Sequence, residues 1–332
     1  MKKKWIIGTI ALGILAIYMN NRSGSVRESG QPRLLAHRGV HQNYTHEGVT
    51  DDTCTASTIY PPQNTFIENT IPAIEEAFRD GADVVDLDVH LTSDGRFVVF
   101  HDWNVDCRTN GHGETDHLAL AFLKSLDVGY GYTPDGGRSF PLRGKGLGLM
   151  PSLDEVLQRF PRSHFVIHVK SGDPLEGIAL SEQLGKLESG QRVLLSVTGS
   201  DKPVAIVRAT YGDVQTMSPN TLKWCLLSYE AIGWTGFTPS DCRHSVLFVP
   251  VNAGPWLWGW PNRFVARMAA VNTAVYAVDD YKKGGTKGLN NAVDLGKLPP
   301  SFGGGIWTDR IDEVGKLIKT QKNKSDAVRN QE

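Results

Sequence analysis

The chain has 332 residues, of which 40% are hydrophobic and 21% charged, with 35 Lys and Arg set against 36 Asp and Glu. This near-neutral balance excludes the strongly basic surface that nucleic-acid binding needs, so an anionic ligand has to be caught by a few local cations. The length does not force a split into two domains, because eightfold α/β barrels reach this size as one unit.

The chain opens on Lys2-Lys3-Lys4, followed by an uncharged, mostly apolar run from Trp5 to Met19. That start reads as an export segment over residues 1–20. It is either kept as a membrane anchor through residues 5–19 or removed as a signal peptide. The lysines stay in the cytoplasm by the positive-inside rule, which puts the remainder outside it. The expected location is therefore extracytoplasmic and membrane-anchored, periplasmic or cell-surface in a bacterium, with secretion as the alternative. Residues 21–33 are polar and contain Gly and Ser, as a linker would, 34–320 form the globular part, and 321–332 read as a polar tail.

Strand-like runs at 34–38, 83–91, 97–102, 164–170, 193–198, 213–217, 245–251, 273–278 and 304–308 alternate with helical patterns. The helical stretches lie near 70–80, 117–126, 152–160, 174–188, 201–210, 219–229, 261–271 and 311–320. Such alternation is the signature of βαβ repetition and predicts an eightfold, TIM-type parallel barrel. Nine candidates compete for eight places, and 213–217 or 245–251 is the weaker member. Residues 40–66 and 127–150 are long, Gly/Pro-rich connections of the kind that carry function.

Cys54, Cys107, Cys225 and Cys242 form an even set, which in an exported chain suggests two disulfides. Pairing Cys54 with Cys107 ties the insertion after the first strand to the loop after the third. Pairing Cys225 with Cys242 closes a short irregular segment. Free buried thiols are the alternative. Trp256, Trp258 and Trp260 crowd one Gly/Pro-rich stretch, which suits either a membrane interface or a core cluster under the barrel rim.

The chemistry gathers at the ends of the early apolar runs. Asp86 and Asp88 sit two apart in Val84-Val85-Asp86-Leu87-Asp88-Val89, so they share a face and can hold one cation between them. His168 and Lys170 share a face in the same way. His37 and His101 each close an apolar run and can move a proton near neutral pH. Arg38 offers a planar fork suited to phosphate oxygens, and Gly39 lets the backbone turn close by. Glu68 precedes Asn69 and Thr70, of which either suits a helix cap, and its own role is open.

These residues carry a resemblance. His37-Arg38-Gly39, Glu68-Asn69-Thr70, Asp86-Leu87-Asp88-Val89 and His101-Asp102 stand in the order seen in the glycerophosphodiester phosphodiesterase family. Weaker matches are Pro151 to Leu157, Lys170 and Trp307-Thr308-Asp309-Arg310. The resemblance implies an eightfold barrel, a divalent cation such as magnesium, calcium or manganese, and hydrolysis of a glycerophosphodiester to glycerol 3-phosphate and an alcohol. It implies Asp86 and Asp88 as metal ligands, His37 and His101 as acid and base, and Arg38 and Lys170 as holders of the phosphoryl group.

Two positions depart from the family pattern. Asp86 stands where the family usually has Glu, and His168 stands where a third carboxylate ligand is usual. An imidazole there favours a transition metal over calcium. The alternative is that His168 only hydrogen-bonds inside the barrel, while Glu68, Asp279 or another rim carboxylate completes the metal sphere. Competing functions are a phospholipase D-like hydrolase of intact or lyso-phospholipids, and a catalytically silent ligand-binding barrel. The expected partners are a glycerophosphodiester or lysolipid substrate and, through residues 5–19, a membrane.

Overall fold

The computed structural model describes residues 2–25, 31–45, 48–50, 53–281, 287–299 and 302–329. The middle of the expected linker (26–30), two short stretches of the insertion after the first strand (46–47 and 51–52) and the end of the tail (330–332) lie outside the described residues.

Among the described residues nine strands form: β1 Leu34–His37, β2 Val84–Leu91, β3 Phe97–Val99, β4 His164–Val169, β5 Leu195–Gly199, β6 Gln215–Met217, β7 Val246–Pro250, β8 Ala274–Val278 and β9 Gly305–Thr308. The helices are α1 Lys2–Asn21, α2 Ile71–Asp80, α3 Leu120–Ser125, α4 Leu153–Arg159, α5 Pro174–Gly185, α6 Ser189–Arg192, α7 Asp201–Thr210, α8 Pro219–Ile232, α9 Asn262–Ala269, α10 Ala292–Leu295 and α11 Ile311–Arg329. Local chemistry starts several of them. Thr70 caps α2 by accepting the Ala73 N–H, with Pro72 in the first turn, and Ser152 with Glu155 forms a reciprocal capping box on α4.

Eight strands run parallel in the order β6-β5-β4-β2-β1-β9-β8-β7. The two ends of that order meet where the Thr216 N–H donates to the His244 carbonyl (3.0 Å) and Ser245 Oγ donates to the Thr216 carbonyl (2.8 Å). The result is a nearly closed barrel. The surplus strand is β3, and both 213–217 and 245–251 supply barrel strands. β2 is the longest strand among the described residues; its last three residues pair antiparallel with Phe97–Val99, and His90 and Leu91 run past the last barrel pair, Val89 with Val169. A hairpin therefore returns the chain to the rim beside Asp88, whose carbonyl accepts the Phe100 N–H at 3.0 Å.

Three apolar clusters follow from the period of two. Leu35, Val84, Val166, Val246 and Tyr276 fill the barrel interior. Their sequence neighbours, such as Ala36, Val85, Phe165 and Leu247, face outward against the helices. The long Gly/Pro-rich connections build a third core of Tyr44, Ile59, Ile67, Val98, Phe100, Val105, Leu126, Tyr132 and Met150. That cap sits on β3.

The cysteine pairs expected, Cys54–Cys107 and Cys225–Cys242, both form. Trp260 packs against Phe264 and Phe302, whereas Trp256 is exposed. The last helix runs on to Arg329, past the point where a polar tail was expected.

The first residues form α1, but no helix among the described residues is long and apolar enough to cross a membrane. The physical reason is length: the run from Trp5 to Met19 rises roughly 22 Å at about 1.5 Å per residue, against a hydrocarbon core of about 30 Å. A membrane span through residues 5–19 is thus not supported. The helix is exposed, and its end is tied to the barrel through Asn20 and Asn21, whose side chains donate to the Trp234 carbonyl at 3.1 and 2.9 Å. Arg267 donates to the Asn20 carbonyl and to Asn21 Oδ1 from the other side.

Directly after β1, Arg38 and Gly39 adopt φ of 59° and 81°. This left-handed step turns the chain under α2, where the Val40 N–H meets the Ala73 carbonyl at 3.0 Å. A Cβ on residue 39 would lie 2.8 Å from the Ala73 carbonyl carbon and oxygen. Replacing Gly39 by Ala is therefore expected to cost on the order of 2–3 kcal/mol from strain and close contact together. Urea unfolding checks this, and an unchanged midpoint would contradict the packing described.

Candidate functional site

Leu35, Val84 and Val166 point into the barrel, so the residues two and four further along their strands do so as well. This places His37, Asp86, Asp88 and His168 on one interior surface. His37 and His168 stand at or next to the carboxyl ends of β1 and β4, and Asp86 and Asp88, inside the longer β2, lie level with them, at the end where eightfold barrels bind substrates. Register sharpens the arrangement: His37 is the β-partner of Asp86, and Asp88 that of His168. Lys170 follows β4, its backbone N–H bonded to the Val89 carbonyl at 3.2 Å.

The two aspartates are in unlike surroundings. Asp88 pairs with Arg38 Nε at 2.9 Å, accepts from Asn69 Nδ2 at 3.1 Å, and has Lys170 Nζ at 3.9 Å. Burial alone would raise it, but Arg38, His101 and Lys170 hold its carboxyl well below the usual range. Asp86 has a buried Oδ1 with no hydrogen-bond partner. Burial, reinforced by the neighbouring Asp88, pushes it up to about 8. The Trp307 indole is within reach of Asp86 but closes no well-formed hydrogen bond with it. A carboxylate so placed calls for added positive charge.

A divalent cation fits that demand, with Asp86 and Asp88 as oxygen donors and His168 as a nitrogen donor beside them. His168 Nδ1 is engaged by Thr198 Oγ1 at 3.1 Å, leaving Nε2 as the ring's other donor. Burial lowers this imidazole to about 4, so the ring is neutral and able to ligate. The three side chains stand more open than a closed ligand set. Among the described residues, the groups with one donor each within 4.8 Å are His37, His41 and Asp309, and Glu114, Asp116 and His117, of which Glu114 and His117 are exposed.

Glu68 and Asp279, the other carboxylates considered as ligands, are each taken by two cations of the chain. Glu68 bridges Arg38 Nη1 and Arg108 Nη1, both at 3.0 Å. Burial works against its charge, but the two guanidinium groups bring it down to about 2. Asp279 pairs with Lys287 at 3.2 Å and with Lys297.

Each of the two rim histidines is held by an aspartate. His37 Nδ1 lies 2.6 Å from Asp309 Oδ1, and Asp309 Oδ2 accepts from the Gly288 N–H and from Asn290 Nδ2, both at 2.9 Å. His101 Nδ1 lies 2.7 Å from Asp102 Oδ1, and Asp102 Oδ2 accepts from Arg108 Nε at 2.7 Å. An ionised carboxylate can only accept, so each ring carries its proton on Nδ1 and presents the Nε2 lone pair. Burial, then the nearby Arg38, lowers His37 to about 4 despite Asp309, and the same two causes lower His101.

Three of these partners were not assigned roles from the sequence. Asp309 ends the last strand run much as the other site residues end theirs, so its position was a usable signal. Of Asn69 and Thr70, which both suit a cap by residue type, Thr70 alone caps, and Asn69, at φ 60°, turns its amide onto Asp88. Arg108 lies in an irregular stretch where no periodicity marks it.

Residues 37–222, more than half the chain, match the glycerophosphoryl diester phosphodiesterase family. A glycerophosphodiester phosphodiesterase of Bacillus subtilis (strain 168) is 36% identical over 115 residues, a match covering 33% of this chain and 38% of that relative. The chain thus spans about two fifths of that relative's length. The glycerophosphoryl diester phosphodiesterase domain of a Mycobacterium tuberculosis protein superposes with a TM-score of 0.60 at 15% identity, covering 87% of this chain and 99% of that one. An Oleispira antarctica phosphodiesterase, solved in complex with sn-glycerol-3-phosphate, gives 0.53 at 19% identity over 88% and 97% of the two chains. At these identities the structural likeness establishes the barrel fold, and the sequence match supplies the rest: the chain belongs to the glycerophosphoryl diester phosphodiesterase family.

Proposed function

We propose that this protein hydrolyses glycerophosphodiesters to glycerol 3-phosphate and an alcohol with the help of a divalent cation. The observation that carries the reading is the pair of carboxylate-oriented imidazoles, His37 on Asp309 and His101 on Asp102, at the same barrel end as Arg38, Lys170 and the uncompensated Asp86. The product complex of the Oleispira antarctica neighbour is consistent with glycerol 3-phosphate as one product.

Arg38 and Lys170 supply the cationic contacts for the phosphoryl oxygens. One histidine takes the proton of the attacking hydroxyl or water at Nε2, and its aspartate stabilises the imidazolium that results. The other histidine takes up a second proton, at Nε2, when the anionic diester lies beside it, is held as imidazolium by its own aspartate, and delivers that proton to the departing alkoxide. The cation, held by Asp86, Asp88 and His168, supplies charge neutralisation on the phosphodiester when bound. Turnover of glycerophosphocholine tests this reading. His37→Ala and His101→Ala are each expected to lower kcat by roughly 10²–10⁴-fold, and a chelator to abolish turnover reversibly. Wild-type protein that cleaves no glycerophosphodiester with any added divalent metal would overturn the assignment and favour a binding barrel.

We assign His168 to the metal and infer a preference for a transition ion such as manganese, because imidazole suits such ions better than it suits calcium or magnesium. His168→Glu restores an all-oxygen set. It should raise activation by calcium or magnesium relative to manganese by roughly tenfold or more. Metal titration of both proteins decides the matter, since an unchanged ratio removes His168 from the metal.

We also place the barrel outside the cytoplasm and against a membrane surface. Two disulfides support the compartment. The exposed apolar α1 and the exposed Trp224, Trp234, Phe237 and Trp256 support the surface contact. Fractionation of cells expressing the full chain should recover it with membranes, released by detergent. Recovery in the cytoplasm would contradict both points.

A further inference from the structure

We infer that Arg108 is the positioning residue that orients His101, and that the Cys54–Cys107 disulfide holds Arg108 in place, so that the site is assembled only while this bridge is closed. The activity part of this inference rests on the phosphodiesterase reading.

Arg108 is the largest fully buried side chain among the described residues, at 1% exposure. All three of its nitrogens are used. Nε donates to Asp102 Oδ2 (2.7 Å), Nη1 donates to Tyr132 Oη (2.6 Å) and pairs with Glu68 Oε2 (3.0 Å), and Nη2 donates to Thr55 Oγ1 (2.6 Å). One guanidinium thus reaches two arms of the site, His101 through Asp102 and Arg38 through Glu68. A planar fork with fixed donors transmits position in a way a flexible ammonium does not.

The disulfide joins the residues immediately before Thr55 and Arg108. The bridge therefore clamps both ends of the Thr55–Arg108 hydrogen bond. The backbone here is also tightly seated: the Gly131 N–H donates to the Arg108 carbonyl at 3.2 Å, and a Cβ on residue 131 would lie 1.8 Å from the Cys107 oxygen. Opening the bridge with a dithiol transfers two electrons and two protons to the Cys54 and Cys107 sulfurs, while the dithiol closes to its own disulfide. Thr55 is then free to leave Arg108, Arg108 to leave Asp102, and the His101 Nδ1–H loses its fixed acceptor.

The Cys225–Cys242 bridge is an internal control. It links α8 to the turn Ser240–Cys242 and, among the described residues, shares no hydrogen bond or ion pair with the Arg108 network.

The test uses the full chain with magnesium and two readouts. Ring ¹⁵N NMR reports the His101 tautomer, assigned with His101→Gln, and steady-state kinetics on glycerophosphocholine separate kcat from KM. Arg108→Met, and separately Cys54→Ser with Cys107→Ser, should replace the single Nδ1–H tautomer by a mixture. Both should lower kcat roughly a hundredfold, and Arg108→Met, which also takes one of the two cations from Glu68, the partner of Arg38, should raise KM as well. Cys225→Ser with Cys242→Ser should match wild type in both readouts. Where Arg108→Met does not fold, Thr55→Val is read in its place, with the same tautomer mixing and a smaller loss of kcat. An unchanged tautomer in the folded Arg108 or Thr55 variant, or an equal loss in the Cys225–Cys242 variant, overturns the proposal. If wild type shows no turnover, the phosphodiesterase reading fails separately, and the tautomer readout alone decides the role of Arg108.

Discussion

Two carboxylates on one buried strand cannot both stay charged without help, and the site is organised around that constraint. Asp86 and Asp88 face into the same barrel, two residues apart, where the interior below them is lined by Leu35, Val84, Val166, Val246 and Tyr276. Like charges in such surroundings push one group up and leave the other low, as they do here with Asp86 raised and Asp88 depressed. Asp88 is the one that Arg38 and Lys170 reach. The unreached member, Asp86, keeps a buried oxygen without a hydrogen-bond partner.

Arginine supplies the compensation through a relay of buried pairs. Asp88 is met by Arg38, Arg38 by Glu68, Glu68 by Arg108, and Arg108 by Asp102, which holds His101. Every link lies between 2.7 and 3.0 Å. Buried ion pairs of this kind add little net stability over apolar packing, yet removing one partner leaves an uncompensated charge that costs about 3–5 kcal/mol. The relay therefore acts as a constraint on geometry: no member can shift without exposing the next to that penalty.

The barrel was legible in the sequence because a parallel strand buried on both faces must be a continuous apolar run, and a polar residue inside one stands out. Asp86 and Asp88 stand out that way, and period two puts them on one face, as it does His168 and Lys170; strand pairing brings His37 and His168 alongside. The same rule misplaced one strand. Phe97 to Phe100 is as apolar as any barrel member, but it is buried beneath a cap core of Val98, Phe100, Val105 and Tyr132. Composition reports burial and is silent on which core does the burying. Arg108 stayed hidden for a related reason. Its partners Thr55, Glu68, Asp102 and Tyr132 are scattered along the chain, and an irregular segment offers no period from which to infer that they converge.

The two histidines consequently have different structural origins. His37 and Asp309 stand at the ends of β1 and β9, strands that pair with each other, so their contact is set by sheet register alone. His101 and Asp102 follow a hairpin outside the barrel, and their placement depends on the cap, through Arg108 and the residues the cap orders around it. Insertions that vary in length would leave the first dyad, the aspartates and Lys170 where the strands put them, and would move the second. A fold divided in this way keeps Asp86, Asp88, His37 and Lys170 on or beside the rigid sheet and leaves the placement of His101 to the loops. Those same loops hold Arg108 against Asp102, so any change that shifts the cap core also shifts His101.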